Sequence, residues 1–163
     1  MSNEVIDQAQ HSASTEASTR KVQLFRAGSS YFGVFETEIA TIAEWREPTP
    51  LPHAPESVLG IVSIQGRMLT VLDLAILQAS ETPSGEKSYR HILALRGDEQ
   101  LALAVTQVDE TIEFSDADPD PAEKDERFVL AVLRREGTAI RILNVPELFH
   151  AALQGRERRR RRF

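Results

Sequence analysis

Residues 51–77, LPHAPESVLGIVSIQGRMLTVLDLAIL, constrain the fold more than any other stretch of the chain. Pro52 and Pro55 exclude regular helix and central strand on the approach. The β-branched, apolar run from Val58 to Ile64 predicts a strand buried on both faces or nearly so. Gly66 predicts a turn, and Met68 to Leu72 the hairpin mate. Asp73 stands where a carboxylate accepts from the free amides of a helix over 74–78. Strand, tight turn, strand and capped short helix form a piece of small β-barrel, and no catalytic group sits in it.

The flanks follow the same grammar. Val22 to Ala27 and Tyr31 to Phe35, joined by Gly28-Ser29-Ser30, predict a hairpin with apolar residues on both faces. Ile39, Ile42 and Trp45 continue as a strand or bent connection. Pro48 to Pro55 predicts an extended surface segment. Tyr89 to Leu95 and Leu101 to Val105 read as strands, the second running on toward Ile112. Phe128 to Leu133 and Thr138 to Leu143 form a last pair. Asn144 is placed to cap a helix from Val145 to about Gln154, with Glu147 at the capping-box position. Gly66 to Leu77 can be laid over Gly137 to Leu148 with turn glycine, apolar pairs, helix cap and closing leucine in register. A unit used twice implies two barrels of about five strands each.

Domain organisation follows. Residues 1–20, rich in Ser, Ala, Thr and Gln, are expected to be a disordered lead. Residues 21–155 form one two-lobed domain, and 156–163, RERRRRRF, a basic tail. Residues 115–126, SDADPDPAEKDE, read as a solvated acidic loop. The net charge of −6 includes six arginines in the tail, so the body is more acidic than the total. An acidic body does not form a nucleic-acid surface. No signal peptide or membrane-spanning run is visible, and the chain is expected to be soluble and cytoplasmic.

The chemistry of catalysis is missing. The chain has no cysteine, which removes disulfides, thiolate metal sites and cysteine nucleophiles. His11, His53, His91 and His150 lack metal-ligand spacing. There is no phosphate-binding glycine loop and no nucleophile elbow. Ser63 lies mid-strand, and Asp73 is better used as a cap than as a catalytic carboxylate. Neither an enzymatic activity nor a cofactor is expected.

The order of Phe25, Gly28, Phe32-Gly33-Val34, Leu51-Pro52, Pro55, Val58, Gly60, Ile64, Gly66, Leu69, Val71 and Leu72-Asp73-Leu74 resembles the CheW-like family of bacterial chemosensory adaptors. Leu103-Ala104-Val105 with Val108 fits the family's second-lobe strand, and Ile142-Leu143 with Leu148 its last strand and helix. The resemblance covers about residues 22–150. It implies a mainly β fold of two packed SH3-like five-stranded barrels with a short C-terminal helix. It also implies a non-catalytic adaptor, associated with membrane receptor arrays. The partners would be a CheA-type histidine kinase regulatory domain and the cytoplasmic tip of a methyl-accepting chemoreceptor. On the family pattern Ile39, Thr41 and Gln65 fall on the receptor side, and Val58, Gly60 and Gly66 on the kinase side.

Several polar positions depart from the pattern. Gln65 replaces an arginine before the turn glycine, Thr70 a proline, Thr41 an acid, Thr106 an aspartate, Leu130 a glycine and Asn144 an aspartate. A neutral amide cannot make the bidentate contacts of a guanidinium. Two alternatives stay open: an auxiliary homologue of a pilus-motility or other non-flagellar pathway that keeps one partner, and a barrel that binds an anionic polymer through its arginine tail.

Overall fold

The apolar runs at both ends of the chain meet in one sheet. A computed structural model describes residues 19–79, 88–97, 99–115, 120–121 and 128–152. The expectations for the N-terminal lead, the 81–87 loop, most of the acidic segment and the arginine tail lie outside the described residues. Strands β1 (Thr19–Ala27) and β2 (Ser30–Phe35) form the first hairpin, with Phe25 opposite Phe32. A short 3-10 turn, Glu36–Glu38, leads into β3 (Ile39–Glu44). The hairpin β4 (Val58–Ile64) and β5 (Arg67–Leu72) runs into helix α1 (Leu74–Ala79). Then come β6 (His91–Leu95), β7 (Leu101–Val105), β8 (Gln107–Ser115) and the two-residue β9 (Asp120–Pro121). Strands β10 (Val129–Arg135) and β11 (Thr138–Leu143) precede the closing helix α2 (145–152).

One sheet has the order β3-β6-β7-β5-β4, the other β8-β1-β2-β11-β10-β9. Since β9 only extends an edge, each lobe rests on five full strands. The sequence echo falls one copy to each lobe, as β5–Asp73–α1 and β11–Asn144–α2. Both copies begin with the same turn. Gln65 and Gly66 have φ of 52° and 79°, Glu136 and Gly137 50° and 79°. Two successive positive φ values are what a type I′ hairpin turn requires. Each lobe also contains one parallel pairing: β5 beside β7, with Thr70 opposite Leu101, and β11 beside β2, with Ile140 opposite Tyr31. The hairpin β6–β7 therefore occupies in one lobe the place that β1–β2 occupies in the other. The β3–β7 lobe is continuous in sequence; the other takes its strands from both ends of the chain.

Two expectations are corrected. The strand 101–105 belongs with 58–72 in one sheet, paired to β5, and it does not run on to Ile112. The chain leaves that sheet at Thr106, whose N–H donates to Arg26 O at 2.9 Å while its Oγ1 accepts from Gly28 N at 3.1 Å. Beyond this clamp β8 pairs with β1. Val58 to Ile64 is an edge strand rather than a strand buried on both faces. Val62 and Ile64 point into the core, Val58, Leu59 and Ile61 are half-buried, and Ser63 is exposed.

Alternation across each strand produces three cores. Val22, Leu24, Phe35, Phe114, Ile140 and Ile142 fill one barrel. Val62, Ile64, Leu69, Val71, Ile92 and the alanines of β6 and β7 fill the other. Between them Phe25, Phe32, Leu72, Leu93, Leu103 and Leu143 join the lobes, with Leu148 of α2. The hairpins β1–β2 and β6–β7 are thus buried on both faces, one toward each lobe's interior and one toward the other lobe. Phe25 and Phe32 stack at 5.8 Å within that shared layer. Burying each such side chain contributes about 1.5–3 kcal/mol, so the lobes act as one body.

Candidate protein-interaction site

The six residues assigned by sequence all lie in the β3–β7 lobe. Ile39 and Thr41 are half-buried on β3, one edge of the sheet, either side of a register shift. Val58 and Gly60 lie on β4, the opposite edge, either side of another. Gln65 and Gly66 are exposed neighbours in the I′ turn. The structure therefore puts one expected receptor-side residue and one expected kinase-side residue in a single turn. It does not bring Ile39 and Thr41 onto a strand next to Gln65.

Arginines link the two edges at one end of the sheet. Arg96 Nε donates to Ile39 O at 3.0 Å, and Arg96 N donates to Glu38 O at 2.8 Å. Arg67 Nη2 donates to Gly97 O at 3.3 Å. Arg46 Nη1 reaches Ser63 O at 2.8 Å on the outer edge of β4. Nothing in the sequence singles out these three side chains, because charged residues beside strands look like ordinary solvated positions. Their role depends on which turn lies beside which.

The edge of β4 is covered in part by the proline segment. Thr49 N donates to Ile61 O at 2.8 Å, and Ile61 N donates to Thr49 O at 2.9 Å. This close approach explains Gly60. Its φ is 144°, and a Cβ there would stand 2.2 Å from Thr49 O. Gly60 serves the backbone, whereas a Cβ on Gly66 would meet nothing within 4 Å. What β4 and β5 offer a partner is a face. Ile61 pairs with Thr70 and Ser63 with Met68 in the ladder, and Met68 is 58% exposed. Leu51, on the segment beside β4, is also exposed.

Asp73 holds this region together from beneath. It is 2% exposed. Its Oδ1 accepts from Ile76 N at 3.0 Å, the expected cap, and its Oδ2 accepts from the Tyr89 hydroxyl. Its own N–H donates to Ser57 O at 2.8 Å. The Tyr89 ring packs on Trp45 at 4.6 Å. Burial, then the hydrogen bond and charge of Asp73, push the Tyr89 phenol well above its ordinary range. One carboxylate thus ties α1, the strand-bound tryptophan and the start of β4 into a frame. The sequence showed the cap but not the tyrosine.

Among the described residues no group of three or more His, Cys, Asp or Glu is placed to hold a metal ion. The arrangement is a rigid scaffold with an apolar face, an exposed turn and a basic rim.

A family model described as the CheW-like domain matches residues 21–153. The chain is 30% identical to "Chemotaxis protein CheW" of Rhizobium meliloti (strain 1021) over 137 residues, 80% of this chain and 87% of that protein. It is 24% identical to "Probable chemotaxis protein CheW" of Rhizobium etli over 135 residues, with the same coverage. The crystal structure of the scaffolding protein TtCheW from Thermoanaerobacter tengcongensis superposes with a TM-score of 0.69 at 22% identity, covering 81% of this chain and 88% of that one. That likeness identifies the two sheets as the paired SH3-like barrels of the fold. Family model, relatives and fold agree, and the chain belongs to the CheW-like family.

Proposed function

We propose that this protein is a non-catalytic adaptor that couples a chemoreceptor to a CheA-type histidine kinase. The observation that carries the reading is the partly exposed face of β4–β5, where Met68 is 58% exposed beside half-buried Ile61, next to the Gln65–Gly66 turn. A fixed apolar face with a polar margin is suited to docking another folded domain. Val58, Ile61, Met68 and Gly66 form the kinase side. Gly60 supports that side by letting Thr49 cross it. Ile39, Thr41 and Gln65, joined through Arg96 and Arg67, form the receptor side at the end of the sheet. The receptor tip is helical in this reading, and an amphipathic helix would lay its apolar stripe along that end. No helix among the described residues is long and apolar enough to cross a membrane.

The test uses the purified full chain, a kinase regulatory domain and a receptor-tip fragment. Stable association with both is expected. Met68→Glu is expected to weaken kinase-domain binding about tenfold, near 1.4 kcal/mol, while receptor-tip binding stays intact. Absence of association with both partners sinks the proposal. Equal weakening of both by Met68→Glu refutes the division into two sides.

A further inference from the structure

Among the described residues, the positions with a side chain that hold a positive φ are His53, Gln65, Gln100 and Glu136. Gln65 and Glu136 open the two I′ turns, and Gln100 ends the β6–β7 turn, where its carbonyl accepts from Thr70 N at 2.8 Å. His53 belongs to no hairpin. Its φ of 61° follows Pro52, whose ring fixes φ near about −65°. Ala54 N donates to Leu51 O at 3.4 Å and closes residues 51–54 in the type II pattern, which asks for glycine or asparagine where His53 stands. A Cβ is disfavoured in that conformation. No contact inside the chain offsets the strain: His53 is exposed, and among the described residues its ring makes no hydrogen bond, ion pair or ring contact. The turn is fixed on both sides. Before it, Thr49 exchanges two hydrogen bonds with Ile61; after it, Val58 N donates to Pro55 O at 2.9 Å and Asp73 N to Ser57 O at 2.8 Å. Leu51, two residues past the Thr49–Ile61 bridge, is 39% exposed.

We propose that the turn Leu51-Pro52-His53 is a preset anchor for the kinase regulatory domain, an inference that rests on the adaptor function proposed above. Leu51 enters an apolar recess of that domain, and the His53 ring hydrogen-bonds at the margin of the recess. A side chain that strains its own turn and contacts nothing in its own chain has its use outside the chain. The place of the turn names the partner. The Thr49–Ile61 bridge carries the turn along the free edge of β4, so Leu51 extends the apolar exposure of Ile61 and Met68 beyond that edge. Anchor and face thus form one footprint on one partner. Imidazole nitrogens donate or accept, which suits a polar margin around an apolar contact. A turn held on both sides loses little freedom on docking, and such preorganisation adds affinity.

His53→Asn and His53→Gly in the full chain test this, because both residues take a positive φ more readily than histidine. Each variant is expected to unfold in urea at a midpoint no lower than the parent's, yet to bind the kinase regulatory domain about five- to tenfold more weakly. Leu51→Ser is expected to weaken that binding about tenfold. Binding to the receptor-tip fragment stays unaltered in all three. Unchanged kinase-domain affinity in the His53 variants overturns the proposal. So does a lower urea midpoint that accompanies the weaker binding, since the ring then serves the fold. Weakened receptor-tip binding, or loss of self-association in sedimentation with kinase-domain binding intact, assigns the turn to another occupant and overturns the proposal as well. The adaptor function is judged apart. If Met68→Glu weakens kinase-domain binding and the turn variants do not, only the anchor is lost; a parent chain that binds neither partner removes both.

Discussion

Replacing Gly60 by alanine tests the claim that this glycine supports the docking face from behind. The new Cβ would stand 2.2 Å from Thr49 O and 2.6 Å from Thr49 C. Both obstacles are backbone, so no side-chain rotation relieves them. The φ of 144° adds strain of about 1–3 kcal/mol for any residue with a Cβ. Displacing Thr49 also breaks its two hydrogen bonds with Ile61, each contributing about 0.5–1.5 kcal/mol. Together these give a loss of about 2–6 kcal/mol. With a urea slope of about 2 kcal/mol per M, the unfolding midpoint should fall by about 1–3 M. Gly66→Ala is the control. Its φ is 79° but its Cβ would meet nothing within 4 Å, so only the left-handed cost of about 1–2 kcal/mol applies. Urea unfolding of both variants, followed by tryptophan fluorescence, reads the difference directly, because Trp45 packs in the same core. If Gly60→Ala costs under about 1 kcal/mol, or no more than Gly66→Ala, the close-approach argument is wrong.

Three further outcomes are expected. Burial and Asp73 raise the Tyr89 phenol, so the folded state favours its neutral form. The stability this contributes is full below the ordinary tyrosine pKa of about 10 and is lost as pH rises above it. Tyr89→Phe should flatten that alkaline loss in thermal melts, and an unchanged alkaline profile refutes the link. Burial raises the Glu38 carboxyl, with Arg20 opposing. Its protonated form is favoured on folding, so stability falls as pH rises through the carboxylate range. Glu38→Gln should be more stable than the parent at neutral pH and indistinguishable from it in acid. Gln65→Arg adds a guanidinium at an exposed turn without altering the turn glycine. It should strengthen receptor coupling in a kinase-stimulation assay, and an unaltered response means the missing charge is not limiting.

Local structure was legible because its causes are local. Gly66 and Gly137 mark turns that need positive φ, Asp73 marks a helix start, and period-two alternation marks the strands around them. The turn carrying Gln65 and Gly66 was therefore found from sequence. The relation of that turn to Ile39 was not. It runs through Arg96, Gly97 and Arg67, whose contacts depend on two other turns lying at the same end of the sheet. Val58 to Ile64 shows why composition misleads: valine, leucine and isoleucine serve edge and central strands alike, and only the neighbouring Thr49 identifies this one as an edge. Tyr89 looks like an ordinary strand residue in the sequence, because nothing there points a phenol at a carboxylate sixteen positions earlier.

The sequence by itself determined the units: hairpins, capped helices, a repeated strand–turn–strand–helix module and a family pattern that names the fold. Side-chain periodicity and turn chemistry act within a few residues, and those are the distances a single sequence can report. Only the tertiary structure decided how the units were shared out. The first hairpin passes over its sequence neighbours to lie parallel to β11, while β7 returns to β5. Backbone hydrogen bonds are the same for every strand and do not name their partner. The choice is made by the apolar layer between the lobes, where Phe25 and Phe32 from one hairpin and Leu93 and Leu103 from the other are buried only if the two hairpins face each other.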